Sequence, residues 1–504
     1  MKILTNIVGV LLMLALFVSC DNDSTSSNPS APSVDAPGKQ TALVGSSVDL
    51  TFSFSSDAGY SSATVSASNG DATISSEPKK EATNGDIVVS FSATNAGAGS
   101  VDLSVSDTEG LSSKATAVVE VNDEEKEIIV TDNITDDITW EDGKTYILAG
   151  RIAVEAGATL TIEGGAVVKG EAGSGTNSTA LLVARDATLN ANGTASAPII
   201  FTSVADEITP EMVDKGNFAS PNLNSEQRGL WGGVIVLGNA PISASNDPAS
   251  IEGIPSTDDN GLYGGDDAGD SSGSISYITI RHGGTNIGSG NEINGLSLGG
   301  VGSGTTIENV EIVANQDDGV EFFGGTVNVT NVLVWNNGDD AIDTDQAWAG
   351  TIDNVVTISP SGSTMELDGP EGSYTGSGHT IKNVTAYVET NGSELIDVDA
   401  NTDSNVQNVL FFGLATDDNG AADNMFSSDY DDYAANQNGY AITSIQAVLP
   451  SNTTLKGYFP DALVDNNEVS EVADLNSATV GADVSKFGFT WASQSGTLSD
   501  LGLE

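Results

Sequence analysis

The chain has 504 residues, with 71 Asp plus Glu against 16 Lys plus Arg and a formal net charge of −55. That charge excludes nucleic-acid binding through phosphates, which needs a basic face, and disfavours polyanionic ligands unless a cation bridges them. The 57 glycines and the 6% aromatic content point away from helical bundles and toward many short strands and turns.

At the N-terminus, Lys2 precedes an apolar run from Ile7 to Phe17, followed by Val18-Ser19-Cys20. The run is too short to span a bilayer but fits the core of a secretory signal. Phe17-Val18-Ser19-Cys20 resembles a bacterial lipobox, with Phe where Leu is usual three residues before the Cys. The resemblance implies that residues 1–19 are a signal peptide and that Cys20 carries a lipid anchor. The protein is then expected in the outer membrane, displayed at the cell surface. Cys20 is also the single cysteine, so no intramolecular disulfide can form. Residues 20–35 are rich in Ser, Asn, Asp and Pro and read as a flexible tether.

Residues 36–122 alternate. Val48, Leu50, Phe52 and Phe54 share one strand face, as do Val101, Leu103 and Val105, with turn-rich pieces such as Ser68-Asn69-Gly70-Asp71 between strands. Short strands at this spacing predict a small Ig-like β-sandwich without its disulfide. Nothing in it carries chemistry, so a spacer role is expected.

Residues 126–504 form the third region, and from 305 onward they repeat. TTIENVEI, TVNVTNVLV, TIDNVVTI, TIKNVTAYV and SNVQNVLFF share an Asn at Asn309, Asn331, Asn354, Asn383 and Asn408. A repeat near ~23 residues with two short strands and no helical period predicts a parallel β-helix. The shared Asn side chains are expected inside, bonding coil to coil as a ladder. A leucine-rich repeat would need a Leu-x-x-Leu-x-Leu frame and a helical return, and neither is visible. The fold class is therefore all-β: a right-handed parallel β-helix preceded by the sandwich.

YILAGRIAVEAGATLTIEGGAVVKG (146–170), ATLNANGTASAPIIFTS (187–203), GLWGGVIVLGNAP (229–241) and NQDDGVEFFGGTVNVTNV (315–332) resemble successive coils of bacterial cell-surface right-handed parallel β-helix proteins. These are secreted lipoproteins widespread in Bacteroidota and other Gram-negative bacteria. The likeness covers about 130–500, implies the fold, and implies no established reaction. VGADVSKFGFTWAS (480–493) looks like the family's terminal cap. Polar loops between about 204 and 274 are expected as solvated turns or binding loops.

Aligned coils place two acidic columns side by side. Val320, Ile342, Met365 and Ile396 should point inward. Glu321, Asp343, Glu366 and Asp397 should then point outward, with Phe323, Asp345, Asp368 and Asp399 beside them. Carboxylates stacked one coil apart repel. Ca2+, shared protons, or a cationic or polyhydroxylated ligand could each offset that. The seven acidic members of the two columns are the expected Ca2+ ligands, although a strongly acidic protein also acquires such columns by chance.

The turns before these strands carry Asp317-Asp318 and Asp339-Asp340. They resemble the paired aspartates of polygalacturonase-type β-helix hydrolases, which also use a His and an Arg-x-Lys pair. Here His379 could stand for the His, but no Arg-x-Lys follows it. From 269 onward the basic residues are Arg281, Lys382, Lys456 and Lys486, too few for a lyase base beside a cation. Asp-Asp-Gly and Gly-Asp-Asp are equally good turns. Two His and one Cys make a zinc site improbable, and no Gly-rich stretch supports nucleotide binding. Trp231, Trp335 and Trp348 could stack on sugars if exposed. The leading expectation is a rigid, acidic, Ca2+-loaded surface scaffold binding an extracellular glycan or protein. The alternative is a glycan hydrolase or lyase using Asp317, Asp318, Asp339, Asp340, Asp343 and His379.

Overall fold

A computed structural model describes residues 30–123, 125–286, 293–389, 394–416, 420, 422, 425–436 and 439–504. Cys20, the leader and most of the tether lie outside these residues. The chain divides into two compact units, Met1–Glu125 and Lys126–Glu504. Among the described residues no helix is long and apolar enough to cross a membrane.

The first unit is a β-sandwich. One sheet runs in the order Ser33–Asp35, Ser47–Ser55, Asn84–Ala93, Gly70–Ser76. The other runs Gln40–Leu43, Ser112–Asn122, Gly97–Asp107, Tyr60–Ser68. Period-2 alternation sends Leu50, Phe52 and Phe54 from one sheet, and Val101, Leu103 and Val105 from the other, into a shared core.

The second unit is the expected parallel β-helix. Its coils stack in parallel register, with Ile307 beside Val329, Val329 beside Ile352, Ile352 beside Ile381, and Ile381 beside Val406. The interior column Leu181, Val234, Leu296, Val320 and Ile342 is fully buried, and Met365 and Ile396 continue it. Phe322 stacks on Trp348 with ring centroids 4.0 Å apart inside the same core. Close stacking constrains the turns: a Cβ on Gly319 would lie 2.5 Å from the Ala341 carbonyl oxygen of the next coil.

The asparagine ladder forms, but not inside. Asn309, Asn331, Asn354, Asn383 and Asn408 all adopt left-handed φ values between 56° and 66°, a conformation Asn tolerates better than most residues. They mark a bend in each long strand. Asn331 donates to Asn309 at 2.9 Å, Asn354 to Asn331 at 2.7 Å, and Asn408 to Asn383 at 3.1 Å. Between these, Asn383 donates instead to Asp353. The Asn354 carbonyl oxygen accepts from the backbone of Asp483, at 2.6 Å, in the C-terminal segment. The bend turns these amides away from the apolar core and toward that segment.

The C-terminal segment also departs from expectation. It lies along the flank of the solenoid rather than over its end. Phe487, Phe489, Trp491 and Leu498 pack on the outward residues Val313, Leu333, Trp335, Val356 and Ile358. Glu311, fully buried, accepts from the backbone N–H groups of Trp491 and Ala492, both at 3.0 Å. The last coils are instead closed by Tyr430, Tyr433, Tyr458, Phe459 and Leu463, contributed largely by the short helices Tyr430–Asn436 and Asp461–Asp465 and their flanks.

Candidate functional site

The eight-stranded sheet carries the site. Its strands run in the order Arg151–Val154, Ala180–Val183, Val234–Leu237, Leu296–Gly299, Val320–Phe323, Ile342–Asp345, Glu366–Leu367, Asp397–Val398. One outward column reads Ala153, Leu182, Ile235, Ser297, Glu321, Asp343, Glu366, Asp397 in unbroken register. A second column reads Leu237, Gly299, Phe323, Asp345. Asp368 and Asp399 continue it through backbone bonds to Thr344 and Leu367.

The outward face changes character midway. Over the first coils Ile242, Ile251, Ile254 and Tyr263 cover Ala153, Leu182 and Ile235 in an apolar cluster that includes Phe323. The insertion between Leu237 and Gly273 is therefore a packed cover, not the set of solvated loops its polar composition suggests. It reaches the acidic coils as well: Tyr263 donates to Gln346 at 3.0 Å, and Ser243 accepts from the Glu371 backbone at 2.9 Å.

This cover and the neighbouring turns bury the start of the acidic column. Glu321 is only 6% exposed, Asp343, Asp345, Glu366, Asp368 and Asp397 are half-buried, and Asp399 is exposed. A fully solvated acidic face is thus not what the fold builds. Burial pushes Glu321 well above the usual carboxylate range, and Asp318 adds to the effect. Asp343 is raised by burial and then by Glu321 and Glu366. Asp345 is pushed up to about 7 by burial and Glu371, and Asp368 to about 6 by burial and Asp399. Glu366 is raised to about 9, first by its hydrogen bond with Asp340 and then by burial.

The turn aspartates join this column. Asn315 donates to the Asp318 carbonyl at 2.8 Å, holding the turn, and Asp318 accepts the Asp340 backbone N–H at 2.9 Å. One coil on, Asn337 holds the Asp339 and Asp340 carbonyls, and Asp340 accepts from the Ser363 backbone. The inner aspartate of each pair is therefore a coil-to-coil fastener, as a turn role requires. Asp318, buried, is also raised well above the carboxylate range by burial and by Asp343, Asp317 and Asp340. One oxygen each of Asp318, Glu321 and Asp343 lie within 4.8 Å of one another, and so do those of Asp317, Asp318 and Asp339. Two full charges no more than 4.8 Å apart repel by at least about 3.5 kcal/mol at an effective dielectric near 20.

Several expected residues lie elsewhere. His379 is buried in the interior, its ring 5.2 Å from that of Trp348 and its Nε2 3.3 Å from the Thr344 hydroxyl. Burial pushes it down to about 3. It is on the core side of the sheet while the carboxylates are on the outer side, so it cannot serve them as acid or base. Trp231, Trp335 and Trp348 are all buried and offer no sugar platform.

The four basic residues after 269 are committed to other carboxylates: Arg281 to Glu311, Lys382 to Asp353, Lys456 to Asp461 and Asp465, and Lys486 to Asp483. Arg228, which the sequence reading did not single out, reaches the turn flank. It bonds the Asn336 carbonyl at 2.7 Å and the Ser361 hydroxyl at 3.2 Å. Asn294 was likewise missed: its amide donates to Glu321 from the preceding coil. No local pattern marks either residue, because each arrives from a different coil.

Residues 132–493 match the family model described as a pectate-lyase like beta helix domain. No curated protein matches the chain. Solved structures with some likeness include a mutant of the SrpA adhesin from Streptococcus sanguinis, at 13% identity and TM-score 0.17. That match covers 21% of this chain and 66% of the adhesin. The GspB Siglec domain follows at 12% identity and TM-score 0.17, covering 21% and 64%. In both cases the chain spans just under two thirds of the other's length. A family 28 exopolygalacturonase of Yersinia enterocolitica matches at 11% identity and TM-score 0.18, over 83% of this chain and 86% of the enzyme. At these scores none of the three bears on function.

Proposed function

The chain belongs to the pectate-lyase-like β-helix family, and from that premise we propose that it is a Bacteroidota-type surface lipoprotein whose solenoid is a rigid, Ca2+-loaded scaffold for binding an extracellular glycan. Cys20 anchors it in the outer membrane, and the tether and an Ig-like sandwich precede the binding unit. The observation that carries the reading is the outer face from Glu321 to Asp399. It concentrates seven carboxylates in two registered columns, while the basic residues that follow residue 269 pair elsewhere. Oxygen-only ligands on a preformed sheet suit Ca2+, a hard cation that takes ~6–8 oxygens. A loaded cation in turn gives an acidic face a means of holding hydroxyl-rich or anionic sugars.

The second reading, a glycan-active enzyme, rests on one observation: Glu366 shares a hydrogen bond with Asp340 and is held protonated near neutrality. A protonated acid beside carboxylates is the donor that glycoside hydrolysis needs. His379 takes no part in it.

A glycan array probed with the full chain, with Ca2+ and with a chelator, tests the first reading. Selective binding that the chelator weakens supports it. Reducing-sugar release that Asp340→Asn abolishes, without a shift in melting temperature, replaces it with the second. Cys20→Ser should move the protein from the membrane fraction to the soluble fraction, and retention after a high-salt wash would defeat the anchor.

A further inference from the structure

We propose that Asp318, Glu321 and Asp343, together with Asn294, enclose one buried divalent cation of the calcium class that fastens three successive coils. The inference rests on the Ca2+-loaded reading above but narrows it. This cation sits at the covered start of the acidic face, apart from any sugar-holding ion further along the columns, and its role is structural.

The geometry comes first. A carboxylate oxygen from each of Asp318, Glu321 and Asp343 lies within 4.8 Å of the other two. Three carboxylate oxygens gathered this closely can converge on one ion at a Ca2+–oxygen distance of ~2.4 Å. Ca2+ accepts irregular sets of oxygen ligands, whereas Mg2+ demands a near-ideal octahedron.

Unfilled bonding capacity is the second, independent observation. Asp343 Oδ1 is buried without a hydrogen-bond partner, and so is Asn294 Oδ1. Asn294 is 1% exposed, and its amide already touches Glu321, which places that orphaned oxygen at the edge of the carboxylate cluster. Buried acceptors without a donor are rare because each loses its hydration for nothing. A cation bound among these oxygens satisfies both acceptors at once.

Charge is the third. Among the described residues, no Lys, Arg or His forms an ion pair with any of the three carboxylates. Two buried carboxylates and a half-buried third, with no counter-charge, call for a cation or for protons.

The ligands come from three coils. Asn294 precedes the strand Leu296–Gly299, Asp318 and Glu321 flank and begin Val320–Phe323, and Asp343 lies in Ile342–Asp345. A single ion therefore ties these coils across the sheet, at the point where the apolar cover ends.

The test is calorimetric titration of the chelator-treated full chain with Ca2+, beside melting curves. The wild type should show one tight site per chain. Asp343→Asn, which keeps the side-chain shape and disturbs no hydrogen bond of Oδ1, should weaken that site at least tenfold while circular dichroism stays native. Asp318→Asn, which keeps an acceptor for the Asp340 N–H, should do the same. Asp397→Asn with Asp399→Asn should leave the site unchanged. Loss of tight binding in the Asp397/Asp399 variant but not in the Asp343 variant overturns this site and leaves the Ca2+-loaded scaffold standing. No Ca2+ binding by the wild type overturns both cation assignments, while glycan binding unaffected by chelator still supports the scaffold.

Discussion

The two halves of the eight-stranded sheet share one interior and present opposite exteriors. Toward the core, Leu181, Val234, Leu296, Val320 and Ile342 repeat the same apolar role from coil to coil. Toward the outside, Ala153, Leu182 and Ile235 are covered by the insertion, whereas the same column, from the second coil after Ile235, is Glu321, Asp343, Glu366 and Asp397. A solenoid is one-dimensional, so each coil needs only its neighbours to fold. The inward residues secure that stacking, and the outward ones are then free to become either a second core or a charged face. The carboxylates are thus not needed to build the coils. Because they repel one another, they are a cost to the chain unless a ligand offsets it.

The strongest test of this contrast exchanges the characters of the two halves. Ile235 is fully buried beneath the cover, so Ile235→Asp places an uncompensated charge there. It should lower unfolding stability by about 3–5 kcal/mol in urea titrations of the solenoid followed by circular dichroism. A change below about 1 kcal/mol would mean that the insertion opens readily and the two halves are less different than their packing indicates.

The asparagine ladder gives a second contrast, since it fastens coils on a flank that belongs to neither half. Asn354 bonds Asn331 in the coil before it and both polar backbone groups of Asp483. Asn354→Leu should leave those partners unmet and cost about 1–3 kcal/mol. It should also loosen the C-terminal segment selectively, read as faster amide exchange around residues 481–491.

A smaller effect concerns pH. Asp345 and Glu366 have folded-state pKa values raised to about 7 and about 9, above their values in the unfolded chain. Their stabilising contribution is complete below the unfolded pKa and is lost as pH rises through the folded value. With chelator present, the melting temperature should fall as pH climbs from about 5 through 7 toward 9. Glu366→Gln should flatten the upper part of that slope, and Ca2+ should oppose it. A melting temperature that rises over the same window would contradict the buried-acid description.

The smallest expected change is at the open end of the column. Asp397 lies in the same register as Ile235, but among the described residues the apolar cluster over Ile235 does not reach it, so Asp397→Leu should alter stability by no more than about 0.5 kcal/mol. The gap between this variant and Ile235→Asp measures how far cover, rather than strand position, sets the cost.

The solenoid was legible from local spacing alone. The Asn steps anticipate the coil register, and alternation within VEFF, IDTD and MELD assigns which side chains face the core. Both signals are short-range: a two-residue period fixes which way a side chain points wherever a strand forms. What lies over an outward face is not a local property. The insertion that buries Glu321, the turn that brings Asp318 to Asp343, and the C-terminal segment running back to Glu311 and the Asn bend all join residues far apart in sequence. Tertiary packing alone placed His379 inside the coil and brought Asn294 to Glu321. Sequence set the direction of each carboxylate, but solvent access, and with it protonation and any capacity to hold a cation, came from what the rest of the chain folded over it.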